Sequence, residues 1–209
     1  MGLELSDVNI TNSIEVATKL VGKPPRGYRA PLYTVRESTI KLLREHKFLY
    51  DSSLMHHDSQ VYFAPSDPPI KPIDLSKPAA SWFEPSTIAS QGYPHGQHPL
   101  VEIPCTWYNE DMTPLQYLPR SPKGLGYIST AVVEQMWKDK FIWLYENEAA
   151  DFVFPVLLHP DTSGLAHVIG MIDRFIQWLK AFGSSVEFCT CEQVAAEWLA
   201  VEKKKAGQA

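Results

Sequence analysis

Cysteine is scarce in this sequence. Only Cys105, Cys189 and Cys191 occur, and three thiols cannot all pair within one chain, which points to a reducing, cytoplasmic setting and away from a disulfide-stapled scaffold. Cys189-Thr-Cys191 has no second cysteine pair with which to complete a zinc site, so Cys189 reads as the packed end of an apolar segment. Long apolar runs are lacking too: none approaches the ~20 residues that cross a bilayer. The first twenty residues are interrupted by Glu4, Asp7 and Glu15 and have no basic stretch, so they do not read as a secretory signal. Basic runs are equally rare. The formal net charge is −5 and the one cluster, Lys203-Lys204-Lys205, reads as a solvated helix end; neither nucleic acid nor a membrane surface is an expected partner.

What is present is an ordinary globular balance: 209 residues, 44% apolar and 21% charged, enough for one sizeable core and a single domain over 1–209. Strand-like and helix-like segments alternate. A helix is expected over 6–21, with Ile10, Ile14, Ala17 and Val21 on one face and Gly22 and Pro24-Pro25 ending it. A short strand at 27–30 follows. Thr34 with Glu37 reads as a capping box opening a helix to about residue 46. A strand at 48–50 runs into Asp51-Ser52-Ser53. Residues 54–99 are proline-rich and aperiodic and read as a functional loop excursion. A strand at 100–103 comes next, then a helix capped by Ser129 or Thr130, with Val133, Met136, Trp137, Phe141 and Leu144 inward. A strand at 152–158 precedes a long helix striped by Leu165, Val168, Ile169, Ile172, Ile176 and Leu179. A last strand at 186–188 leads to a helix capped by Thr190 and Gln193. About five strands alternating with helices imply a parallel α/β sheet. A closed eight-stranded barrel needs ~250 residues, so the chain reads as an incomplete (β/α) barrel lacking its first strands.

The chemistry centres on the end of the 152–158 run. His159 stands where such a strand ends, and the carboxyl ends of strands are where α/β sheets and barrels collect reactive groups. A histidine there can give or take a proton near neutral pH; the plainer alternative is a hydrogen-bonded strand-end residue. Asp161 or Ser163 reads as the cap of the following helix. Arg29 and Asp51 close neighbouring strands and are expected to pair. His56, His57 and Asp58 share one loop and read as loop packing, as cleft lining, or, with His95 or His98, as a substitute metal site. Trp107 either stacks on a ring substrate or fills the core.

Four segments carry a family likeness: Gly22-Lys-Pro-Pro-Arg-Gly-Tyr-Arg-Ala-Pro31, Tyr50-Asp-Ser-Ser-Leu-Met-His-His57, Val101-Glu-Ile-Pro104 followed by Trp107-Tyr108, and Leu157-Leu-His-Pro160. With them the sequence resembles the polysaccharide deacetylase family, the NodB-homology fold, and most of all its branch of peptidoglycan deacetylase-like, cyclic-imidase and allantoinase-like proteins. The resemblance implies metal-dependent hydrolysis of non-peptide C–N bonds in carbohydrate or cyclic amide substrates. A divalent metal, usually zinc, is then held by one Asp and two His, with a second Asp as base.

Carried over by position, Arg29 with Pro31 matches the family's Arg-x-Pro motif, Asp51 the aspartate that positions that arginine, and His159 the late-strand proton donor. The loop of His56, His57 and Asp58 would lie over the substrate cleft. The sequence departs from the pattern at its front. It holds no Thr-Phe-Asp-Asp-like segment and no His-x-x-x-His-like segment, both expected before Met1 in a longer form. Leu165 also stands where many relatives place arginine. The resemblance therefore implies no metal and no other cofactor for this chain alone, and either a hydrolase silent in this form or a binding or assembly subunit. An exposed edge on the strand carrying Arg29 implies a homo-oligomer.

Overall fold

The structure is a computed structural model that describes residues 7–65, 75–79, 93–94, 96–117, 126–148 and 151–207. The chain divides into two compact units, Met1–Pro104 with Thr190–Ala209, and Cys105–Cys189.

The first unit begins with helix α1 (Asp7–Val21). Ile10 is buried and Ile14 packs beside it against Ile40, Leu43, Phe48 and Leu100. Gly22 takes φ +79 and closes the helix by donating to the Thr18 carbonyl, a conformation that costs glycine little. Val21, expected on the inward face, is instead exposed. Strands β1 (Gly27–Tyr28), β2 (Tyr50–Asp51) and β4 (Val101–Glu102) pair in parallel, and β3 (Tyr62–Phe63) adds antiparallel to β4, giving the order β1-β2-β4-β3. At Gly27 a side chain would meet the Tyr50 ring. Helix α2 (Thr39–Glu45) links β1 to β2, and α7 (Cys191–Gly207) packs on β2 and β4. Its start is capped as expected, Gln193 N–H on Thr190 Oγ1 and Thr190 N–H on Gln193 Oε1.

Two expectations fail in this unit. Thr34 and Glu37 do not open a helix: residues 31–33 form a single 3-10 turn closed by Thr34, and α2 starts five residues later. The 54–99 excursion contains β3, whose two residues are too short a run to show periodicity. Trp82, Phe83 and His95 lie outside the described residues.

The second unit holds α3 (Met112–Leu115), α4 (Thr130–Asn147), α5 (Pro160–Ser163) and α6 (Ile169–Lys180). Ser129 caps α4 by accepting from Ala131 N–H. Helices α4 and α6 pack together around Val133, Trp137, Phe141, Met171, Phe175 and Leu179. Phe141 touches five other rings, Tyr145, Phe152, Phe154, Trp178 and Phe182, at centroid separations of 5.0–5.9 Å. Trp137 is fully buried and its indole N–H donates to the Tyr108 carbonyl at 2.8 Å, which removes the penalty of a buried polar atom. Met136, Leu165 and Ile169 face outward more than their periodicity implies.

The expected strand at 152–158 is not a strand. Its one ladder contact is a parallel bridge between Glu110 and Leu157. Pro155 brings no N–H to a ladder, and Phe152 and Phe154 spend their surface on Phe141. Residues 186–188 form no ladder either, and Phe188 is exposed. Asp161 and Ser163 cap no long helix, since α6 begins at Ile169 after Val168. Among the described residues the sheet has four strands and does not close; the architecture is the expected α/β incomplete barrel. No helix among them is long and apolar enough to cross a membrane.

Because Phe141 is 3% exposed and ringed by aromatics, Phe141→Ala should cost about 3–5 kcal/mol in urea unfolding monitored by tryptophan fluorescence. A loss below about 1 kcal/mol would show that this cluster does not hold the second unit together.

Candidate functional site

Each unit buries a constellation of carboxylates and their partners. In the first, parallel register sets Asp51 directly beside Glu102 on β2 and β4. Both are completely buried. Glu102 Oε1 accepts the N–H groups of Ser53 and Leu54 at 3.0 and 2.9 Å, and Asp51 Oδ1 accepts the Ser53 hydroxyl at 2.8 Å. That leaves Asp51 Oδ2 and Glu102 Oε2 without a protein donor. Two carboxylates side by side in a dry interior cannot both ionise, and one shared proton satisfies both orphan oxygens. Burial, then the neighbouring Asp51 charge, pushes the Glu102 carboxyl well above its usual range; burial also raises Asp51. The Tyr62 phenol is pushed up by burial and by Glu102.

Arg29 does not pair with Asp51. Its Nη2 donates to Ser52 Oγ at 2.7 Å, Ser52 Oγ donates to the Ile103 carbonyl at 2.9 Å, and the Ala30 N–H donates to Ser53 Oγ at 2.8 Å. The Asp51-Ser52-Ser53 run therefore ties β1, β2 and β4 together at their carboxyl ends, with the serines where the sequence reading expected the aspartate. His56 lies 5.9 Å ring to ring from Tyr62, its backbone N–H and Nδ1 near the Tyr62 hydroxyl, and burial lowers its pKa. His57 Nδ1 accepts from Gln60 N–H at 3.2 Å, closing the turn that also contains Asp58. Trp107 opens a 3-10 turn, but its side chain lies outside the described residues.

The second constellation surrounds Asp111, which is also completely buried. His159 Nδ1 lies 2.7 Å from Asp111 Oδ1, and the His159 backbone N–H reaches both carboxylate oxygens. The Ser163 hydroxyl donates to Asp111 Oδ2. The Glu110–Leu157 bridge, the Leu157 N–H on the Asn109 carbonyl and the Asn109 Nδ2 bond to the Pro155 carbonyl bring residues 109–111 alongside 155–159. With Nδ1–H donated to a buried carboxylate, the His159 tautomer is fixed and Nε2 is left for chemistry. The ring is 29% exposed, so Nε2 is approachable while Asp111 is not. Asp161 accepts from Gln116 Nε2 and stands outside this cluster.

Asp111 and Glu102 are the residues that sequence reasoning missed. Glu102 stands as a lone acid between Val101 and Ile103, a pattern that marks a buried carboxylate, whereas Asp111 follows Asn109-Glu110 and has no such signal; their partners lie 51 and 48 positions away in the chain. Among the described residues no three His, Cys, Asp or Glu side chains converge to hold a metal ion. His98 spends Nε2 on the Phe48 carbonyl at 2.8 Å, and the Asp111 oxygens are taken by His159 and Ser163. The described residues do not fit the divalent metal that the resemblance implies.

The carboxyl pair makes stability depend on pH. Raised folded-state values mean that the native chain binds the shared proton more tightly than the unfolded chain does. That contribution is complete below the ordinary carboxylate values of 3.8 and 4.5 and is lost as pH rises through the raised ones. Urea unfolding across pH 4–8 should show stability falling with a slope approaching about 1.4 kcal/mol per pH unit in part of that window. Glu102→Gln, which keeps the Oε1 acceptor and supplies a permanent donor, should flatten the decline; an unchanged slope would mean that no proton is shared there.

No family model matches the chain. Two curated relatives do. Peptidoglycan deacetylase-like protein FGM2 of Gibberella zeae is 47% identical over 191 residues, covering 89% of this chain and 55% of that protein. Peptidoglycan deacetylase of Helicobacter pylori is 33% identical over 196 residues, covering 94% of this chain and 64% of that protein. The chain thus spans about half to two thirds of the length of these relatives. Among solved structures, one named as a polysaccharide deacetylase from Mycobacterium smegmatis superposes with a TM-score of 0.71 at 24% identity, covering 94% of this chain and 57% of that one. PuuE allantoinase superposes at 0.68 and 22% identity, covering 96% and 54%. Sequence likeness to the deacetylases and fold likeness to the same group are together consistent with a member of the polysaccharide deacetylase family with the NodB-homology fold.

Proposed function

We propose that this chain carries the proton-delivering and substrate-orienting part of a deacetylase-type hydrolase of non-peptide C–N bonds, with amides on carbohydrates or cyclic amides as the substrate class. The observation that supports this most directly is the 2.7 Å contact of His159 Nδ1 with buried Asp111. In its protonated form His159 gives the Nε2 proton to the leaving nitrogen as the C–N bond breaks, and Asp111 holds the ring and offsets its charge. In the first unit, Arg29 and the loop of His56, His57 and Asp58 are the inherited substrate-facing positions, and Asp51, completely buried, is a positioning group for the strand ends. The names of the relatives favour acetamido groups of peptidoglycan-type sugars within that class.

Water activation in this family belongs to segments that these 209 residues do not contain. Taken alone, the chain is therefore proposed to bind substrate without turning it over, which joins the hydrolase reading to the second one, a binding or assembly subunit. The edge position of β1 in the sheet supports self-association.

The test pairs binding with turnover. Calorimetry with N-acetylated chito-oligosaccharides and with peptidoglycan fragments should detect binding that weakens in Arg29→Ala. Mass spectrometry of the same mixtures with added zinc should detect no released amine. Release that falls about 10²- to 10⁴-fold in His159→Ala would overturn the silent state and leave the proton donor standing. Absence of both binding and release would sink the reading.

The His159 geometry has its own readout: nitrogen NMR should find Nδ1 protonated and hydrogen-bonded in the parent chain, with Asp111→Asn releasing the tautomer preference. Light scattering that finds only monomer would remove the homo-oligomer.

A further inference from the structure

Arg44 on α2 is a buried cation with no counter-charge among the described residues. It is 8% exposed. Nη1 donates to Gln97 Oε1 at 2.8 Å and Nη2 to the Ala64 carbonyl at 2.5 Å. Both acceptors are neutral, and Nε is buried with no partner at all. Burial pulls the guanidinium pKa down, yet arginine stays protonated in proteins. A buried guanidinium with an unpartnered donor is expensive unless an acceptor completes it.

A cavity of about 540 Å³ adjoins it. Among the described residues, Arg36, Lys41, Arg44 and Lys47 line this space against Glu37 and Glu45, so positive charge exceeds negative by two there, while Ile40 and Pro65 supply apolar wall. Lys41 is partly engaged, 3.8 Å from Glu45 on the exposed helix face. His98 also lines the space but spends Nε2 on the Phe48 carbonyl.

Lys47 is a second, independent sign. It takes φ +60, where glycine is the favoured residue. The bonds Phe48 N–H to Leu43 O and Lys47 N–H to Arg44 O form a Schellman close to α2, with Lys47 at the position that glycine usually fills. A lysine held there against its backbone preference is exposed and belongs to the cavity lining, the kind of strain that collects at ligand sites.

We propose that this cavity binds a small anion bearing a carboxylate or phosphate group, held by Arg44 and Lys47. The unpartnered Nε–H of Arg44 is a donor that such oxygens accept from, and the apolar wall gives room for a short organic body. This site is formed within the first unit from residues outside the Asp111–His159 and Asp51–Glu102 constellations.

Calorimetry and thermal unfolding of the full chain, with inorganic phosphate and acetate in separate arms and sodium chloride at matched ionic strength, test it. Saturable binding of one or both anions, with a melting temperature that rises beyond the chloride control, is expected; which arm binds assigns phosphate or carboxylate. Lys47→Gly should weaken binding about tenfold while the unliganded melting temperature stays level or rises, because glycine accepts that backbone conformation. Arg44→Gln should weaken it further, and the Lys47 variant keeps the test valid if this one does not fold. Phosphate and acetate effects no larger than chloride, or a Lys47→Gly chain that binds like the parent, would overturn the proposal.

Discussion

A carboxylate taken out of water must be neutralised or surrounded by donors, and the polar framework of this chain is organised by that requirement. Asp51, Glu102 and Asp111 are all fully buried. Asp111 is surrounded: an imidazole, a hydroxyl and a backbone N–H use both of its oxygens. Asp51 and Glu102 accept from Ser53 and Leu54, and their remaining oxygens, which no protein donor reaches, are the place for one shared proton. Each solution fixes backbone as well as charge. Glu102 orders the chain leaving β2 through two successive N–H groups, and Asp111 fixes the turn from His159 to Ser163. The segments that carry the family motifs are held by these acids more than by strand ladders, since every strand in the sheet is two residues long.

Helices were the legible part of the sequence. Gly22, Ser129 and the Thr190–Gln193 box mark ends that the structure reproduces, because capping depends on residues within one turn of each other. Strands were less legible. The apolar run at 152–158 has the composition of a buried strand, yet Pro155 interrupts its donors and the α4–α6 aromatic cluster takes up Phe152 and Phe154. Tyr62-Phe63 looks like loop sequence and pairs with Val101-Glu102. A strand is defined by a partner elsewhere in the chain, and composition does not name that partner.

The site divides along the same line. His159, Arg29 and Asp51 stood out by residue type and family position, but their partners did not. The obvious charge pairing of Arg29 with Asp51 loses to a serine-mediated one because Glu102, one strand over, already occupies the face that Asp51 presents. Asp111 was hidden between the expected 100–103 strand and the Ser129 cap, a stretch to which no element was assigned. Its distance of 48 positions from His159 is bridged by the Glu110–Leu157 contact, which no local pattern predicts.

That bridge also bears on how the proton donor would work. His159, Asp111, Ser163, Asn109 and Pro155 all belong to the second unit, so the orientation of the imidazole is settled without any residue of the sheet. Arg29, Ser52, Asp51 and Glu102 all belong to the first. A substitution in one constellation should therefore leave the other's internal geometry intact, since effects on groups that share no partners are close to additive.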